Sequence, residues 1–272
     1  MLRRNLRAAM ANLIRSAKSA SSWTVSDLDA FNIRVVDTNV QAFFGLQHLP
    51  ASIASPRILG YRHRPAFGLS ESESEFFRLL NIVMRERSLE SSVDNLAAHI
   101  LRMSGYRRND RYINMRQRMP LLMCGMYCQA IPDVCVVDGR TDINLLVQED
   151  KRYQFIPGQN DCSETEPQLI AQAIAAFQVC NRWRTNAGLP PAESVVVPGI
   201  IMVGSAPFFY KVTVTRALSR AVERGQYPAH ATVVYRFKPP VPNRGNYFVD
   251  GMLPLENRRI ILACFETFRW FV

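Results

Sequence analysis

Two acids and a lysine near the middle of the chain have a spacing that suits metal-assisted hydrolysis. Asp133 follows Pro132 at the head of one apolar segment. Glu149 and Lys151 close the next, as Gln148-Glu149-Asp150-Lys151. Residues two apart on a strand share a face, so Glu149 and Lys151 point the same way. Gly139, Arg140 and Thr141 read as the turn of an antiparallel hairpin. With the turn centred there, opposed residues have numbers summing to roughly 281, which sets Asp133 opposite Gln148 or Glu149. Directly opposed side chains sit about 5 Å apart at Cβ. Carboxylates that close repel unless a cation lies between them. Oxygen ligands of this kind suit a hard divalent ion, Mg²⁺ or Mn²⁺. A lysine two residues beyond would hold a water near the metal or counter charge growing on a phosphoryl group.

Pro132-Asp133, fifteen residues, then Glu149-Asp150-Lys151 resembles the signature of the PD-(D/E)XK nuclease superfamily, the restriction-endonuclease-like fold. The resemblance covers roughly residues 89–215. It implies a metal-dependent nuclease cutting DNA or RNA, with Asp133, Glu149 and the backbone carbonyl of Asp150 on the metal. Lys151 would orient the attacking water. The family's later helix often carries a glutamine facing the site, and Gln168 and Gln172 are the matching candidates. Its first helix often carries an acid, a role open to Glu90 or Asp94. Arg107, Arg108, Arg111, Arg116 and Arg118 would contact phosphates. Homodimers are common in the superfamily, although no residue pattern here marks an interface. Leu145–Lys151, Pro167–Gln178, Gly199–Thr215 and Met252–Phe268 also resemble an uncharacterised protein group of mushroom-forming fungi.

The residues alone admit a plainer reading. Glu149, Asp150 and Lys151 suit a solvated strand end, Gln168 and Gln172 the polar side of a helix, and the five arginines a solvated face. The function of a second class is then a non-catalytic nucleic-acid-binding or protein-interaction module on a degenerate nuclease fold. Asp138 and Asp142 fit turn positions. His48, His63, His99 and His230 lack metal-ligand spacing, and Cys124 and Cys128 have no second pair. Phe208, Phe209 and Tyr210 suit base stacking or, more simply, a core strand. Neither a nucleotide-binding lysine loop nor a Gly-rich dinucleotide fingerprint is present.

The elements expected to carry these residues follow from periodicity. Helices are predicted at Glu75–Arg87 and Leu89–Met103, the second closed by Gly105. Strands are predicted at Leu121–Tyr127, Asp133–Val137 and Ile143–Val147, the last running on to Lys151. A helix from Pro167 to about Arg184 carries Leu169, Ile170, Ala173, Ala176 and Phe177 on one stripe. Strands at Gly199–Val203, Phe208–Val214 and Thr232–Phe237, and helices at Arg216–Arg224 and from Leu255, complete the pattern. The helix, three strands, helix, strand order predicts an α/β fold with a mixed central sheet flanked by helices.

The first acid in the chain is Asp27, preceded by Arg3, Arg4, Arg7, Arg15 and Lys18. Leu2, Leu6, Met10, Leu13 and Ala17 recur at helical spacing. This basic amphipathic helix reads as a mitochondrial presequence, a first helix packed on the body, or a phosphate-facing surface helix. Residues 1–72 are expected as a helical or irregular extension and 73–272 as the α/β domain, with Ser70–Glu75 as linker. A net charge of +10 favours a polyanionic partner. No apolar run reaches transmembrane length and no secretory signal opens the chain. Six scattered cysteines in 272 residues suit a reducing interior, nucleus or cytoplasm, rather than a disulfide scaffold.

Overall fold

The structure, a computed structural model, describes residues 15–85, 89–108, 110–151, 162 and 164–272. Strands are β1 (Ile33–Thr38), β2 (Arg111–Met115), β3 (Met119–Met123), β4 (Met126–Ala130), β5 (Val134–Asp138), β6 (Asn144–Lys151), β7 (Ser194–Val203), β8 (Ala206–Thr215) and β9 (Thr232–Phe237). Helices are α1 (Val25–Ala30), α2 (Val40–Phe44), α3 (Pro56–Gly60), α4 (Glu71–Val83), α5 (Glu90–Met103), α6 (Glu166–Asn186), α7 (Arg216–Arg224), α8 (Tyr247–Asp250) and α9 (Leu255–Phe268). Seven strands form one mixed sheet in the order β1-β9-β8-β7-β6-β5-β2. β6 runs parallel to β7 and β1 parallel to β9, and the other neighbours are antiparallel.

The central strands are apolar nearly throughout because helices cover both faces of the sheet. Ile200, Ile201, Met202, Phe209 and Val212 are all inaccessible. α6 crosses from β6 to β7 with Leu169, Ile170, Ala173, Ala176 and Phe177 buried. It lies so close to the sheet that a Cβ on Gly199 would stand 2.9 Å from Leu169 Cδ2. Across the other half of the molecule, Phe43, Phe209, Phe237, Phe265 and Phe268 stack α2, β8, β9 and α9 into one aromatic layer. Among the described residues, no helix is long and apolar enough to cross a membrane.

Strand direction gathers the candidate site residues at one edge of the sheet. β2, β6, β7, β9 and β1 all end at this edge, and β5 and β8 begin there. Asp133, Glu149, Lys151 and Arg116 therefore meet at a single edge although up to 35 positions separate them in the sequence.

Three expectations are corrected. Leu121–Tyr127 is not a strand of the central sheet. It spans the β3–β4 hairpin, a separate two-stranded unit that turns at Cys124 and Gly125, both at positive φ. The strand beside β5 is instead Arg111–Met115, out of the basic stretch. Residues 1–72 are not merely helical or irregular, since β1 pairs with β9 inside the same sheet. Ser70–Glu75 is no linker: Ser70 caps α4, its hydroxyl accepting from the Glu73 amide while the Glu73 carboxylate accepts from the Ser70 amide. Of the expected amino-terminal helix, residues 1–14 lie outside the described residues, and residues 15–19 are not helical.

Candidate active site

β5 and β6 form the expected hairpin, with one irregularity. The register shifts between Val136 and Val137, so the pairing near the turn differs by one residue from that near the sheet edge. The ladder ends with Val134 paired to Gln148, so Asp133, one residue beyond, stands at the junction of Gln148 and Glu149. The Asp133 amide donates to the Gln148 carbonyl at 3.1 Å, and the Asp133 carboxylate accepts from the Asp150 amide at 2.9 Å.

The side chains of β6 alternate as a strand requires. Glu149 and Lys151 face α6. Lys151 Nζ donates to Glu149 Oε1 at 2.9 Å, and Gln172 Nε2 donates to Glu149 Oε2 at 2.8 Å. Gln172, at 0% exposure, is thus the helix glutamine that reaches the site, and it also donates to the Ile131 carbonyl. Gln168, one turn earlier, does not join this set. Gln148 and Asp150 share the opposite face, where Gln148 Nε2 donates to Asp150 Oδ1 at 2.8 Å. The Asp150 side chain therefore points away from Glu149, which leaves its backbone carbonyl as the one ligand it has to offer. Asp94 of α5 is buried and paired with Arg116 at 3.4 Å, while Glu90 is exposed at the helix start.

Electrostatically the cluster is short of positive charge. Four carboxyls (Asp94, Asp133, Glu149, Asp150) gather round Lys151 and Arg116. Burial, with the Asp133 charge adding to it, pushes Glu149 up to about 7 against the opposing pull of Lys151 and Gln172. Burial and Asp133 likewise raise Asp94 to about 6. Burial raises Asp133, opposed by the Asp150 amide, and holds Asp150 well above the usual carboxylate range. Burial acts against the Lys151 ammonium, but Glu149, Glu90 and Asp133 together outweigh it and raise its pKa. Asp94 Oδ1 and Asp150 Oδ2 are buried with no hydrogen-bond partner among the described residues. Unpaired buried carboxyl oxygens are costly, and a nearby cation lowers that cost. Both orphaned oxygens lie outside the expected ligand set of Asp133, Glu149 and the Asp150 carbonyl. Among the described residues no three His, Cys, Asp or Glu side chains converge on one point. The expected set needs only two, Asp133 and Glu149, plus a carbonyl.

Asp133 opens onto a cavity of about 400 Å³ that Arg116, Arg118 and Ile131 also line. The five arginines divide here. Arg116 and Arg118 stand beside the acids. Arg111 pairs with Asp138 at the far end of β2, about 13 Å along the strand. Its guanidinium donates to the Val272 carbonyl at 2.8 Å, and Arg107 and Arg108 precede it in the chain, away from the cavity. The five do not form one continuous track. Asp138 and Asp142 are turn residues as expected: Asp138 accepts from the Arg140 and Thr141 amides, and Asp142 accepts from the Tyr112 hydroxyl. Phe208, Phe209 and Tyr210 are buried core.

One charged cluster has no counterpart in the sequence reading. Arg236 on β9 holds Asp37 of β1 through two bonds, 2.7 and 3.0 Å, and donates to Glu166 of α6 at 2.7 Å. The Tyr210 hydroxyl donates to the same Glu166 oxygen at 2.9 Å. Its one local signal is an arginine in the otherwise uncharged strand Thr232–Phe237.

No protein-family model matches this chain, and no curated protein matches it.

Proposed function

We propose that this protein is a metal-dependent nuclease hydrolysing phosphodiester bonds in DNA or RNA, on a restriction-endonuclease-like core made of α5, β2, β5, β6, α6 and β7. The β3–β4 hairpin is an insertion between the first two core strands. The observation that carries the reading is Glu149 held between Lys151 and Gln172 with Asp133 opposed across the hairpin. Asp133, Glu149 and the Asp150 carbonyl would hold Mg²⁺ or Mn²⁺. That ion, when bound, supplies Lewis-acid polarisation of the phosphoryl oxygen and a lowered pKa for bound water. Gln172 fixes the Glu149 carboxylate. Lys151, kept protonated by Glu149, positions the attacking water and counters charge on the phosphorane oxygens. Arg116 and Arg118 hold flanking phosphates as positioning groups.

A cleavage assay on single- and double-stranded DNA and RNA with Mg²⁺ or Mn²⁺ tests this. Cutting by wild type that a chelator abolishes supports it, and no cutting of any of the four overturns it. A second reading, a binding module that keeps the acids for structure, draws on the same two bonds, because both Glu149 oxygens already have protein donors.

A further inference from the structure

A cavity of about 500 Å³ opens at the same sheet edge as Asp133 and Lys151, beyond the end of β9. Asp37, Thr38 and Asn39 form one wall, Arg236, Lys238 and Arg244 another, and Pro240 with the stacked rings of Phe208 and Phe248 an apolar third. Arg236 is committed to Asp37 and Glu166. Lys238 and Arg244 have no carboxylate partner among the described residues. Lys238 Nζ donates only to the Arg244 carbonyl and packs over the rings of Phe208, Tyr247 and Phe248. Both cations act on Asp37, which is held below the usual carboxylate range chiefly by its bond to Arg236. A concave site with two cations that lack a carboxylate partner, beside an apolar aromatic wall, matches a phosphate joined to a flat, apolar-faced group.

We propose that this cavity is a nucleoside-phosphate site, with Lys238 and Arg244 on the phosphate and Pro240 and Phe248 bounding the base. Three strand spacings separate β9 from β6, about 14 Å. On the nuclease reading, on which this clause rests, the pocket holds a nucleotide a few units along the strand from the bond being cut.

The test is the fluorescence anisotropy of a short labelled single strand in chelator, so that cleavage plays no part. The chains compared are wild type, Lys238→Ala, Arg244→Glu and Arg220→Glu, with AMP and inorganic phosphate as competitors. Arg220 is an exposed arginine of α7 at the opposite edge of the sheet. Arg244 is also exposed, so its reversal spares the fold. Lys238→Ala and Arg244→Glu should weaken binding about tenfold and flatten the salt dependence by about one unit per charge removed, with Arg220→Glu close to wild type. Competition by AMP beyond that of phosphate assigns the site to free nucleotides as well as strands. Competition by neither restricts it to a nucleotide within a strand. Equal binding by Arg244→Glu and wild type overturns the pocket, even in a chain that cuts nucleic acid. A chain that never cuts, yet loses binding in Arg244→Glu, keeps the pocket and loses the nuclease.

Discussion

Gln172 Nε2 stands 2.8 Å from Glu149 Oε2, joining the second turn of helix α6 to the last residues of strand β6. Both groups are buried, so this bond fixes the carboxylate on which the proposed chemistry turns. Gln172→Ala leaves a buried acceptor unpaired and should cost about 1–3 kcal/mol in stability, with a lower cleavage rate. Gln168→Ala should change neither. Thermal melts and rates of the two variants, measured side by side, check the distinction. Equal effects would remove the special role of Gln172.

The raised carboxyls imply a pH dependence in the metal-free protein. Glu149 titrates at about 7 when folded and near its ordinary value when unfolded. Between those values the folded state binds more protons, so stability is greatest at low pH and falls as pH rises toward 7. The effect is on the order of 3 kcal/mol from Glu149 alone. Melts in chelator at acidic and mildly alkaline pH, for wild type and Glu149→Gln, isolate it. Wild type should lose more stability than Glu149→Gln across that range. Parallel curves would mean that Glu149 carries its charge at no cost.

The division of the arginines has a measurable consequence. Arg118 lines the cavity at Asp133, whereas Arg107 and Arg108 lie toward the far end of β2. Arg118→Ala should weaken nucleic-acid binding and lower the salt slope by about one unit, and Arg107→Ala should leave both near wild type. Anisotropy titrations at several salt concentrations distinguish them. Identical slopes for the two variants would restore a uniform basic surface.

Phe177 is 1% exposed at the centre of the α6 stripe. Phe177→Ala should cost about 3–5 kcal/mol, read by chemical denaturation. A loss below about 1 kcal/mol would mean that the helix is not anchored there, and with it Gln172.

The parts of this fold legible in the sequence are those where local pattern and tertiary role agree. α6 carries a long apolar stripe behind Glu166-Pro167, and the strand predicted at Thr232–Phe237 coincides with β9. β2 was hidden because it is an edge strand: only one neighbour pairs with it, and Arg111 and Asn114 interrupt its apolar pattern. The β3–β4 turn was hidden because Cys124 takes a left-handed conformation that a cysteine seldom signals. The spacing alone leaves Asp133 between two partners, because the extra residue at the β5–β6 irregularity is invisible without the pairing itself. The Asp37–Arg236 pair spans 199 positions, so no local spacing announces it.

The central claim is that Glu149 and Lys151 do different parts of one hydrolytic step. A Mn²⁺ titration of the cleavage rate for wild type, Glu149→Gln and Lys151→Ala tests it most directly. The account predicts that both variants are inactive at low Mn²⁺, that Glu149→Gln regains part of its rate as Mn²⁺ rises, and that Lys151→Ala does not. Removing a charged ligand weakens the metal site, and mass action restores it. Removing the ammonium deletes a group that no added metal replaces. Wild-type cleavage by Lys151→Ala, or no metal-dependent cleavage by wild type at any Mn²⁺ concentration, contradicts the account.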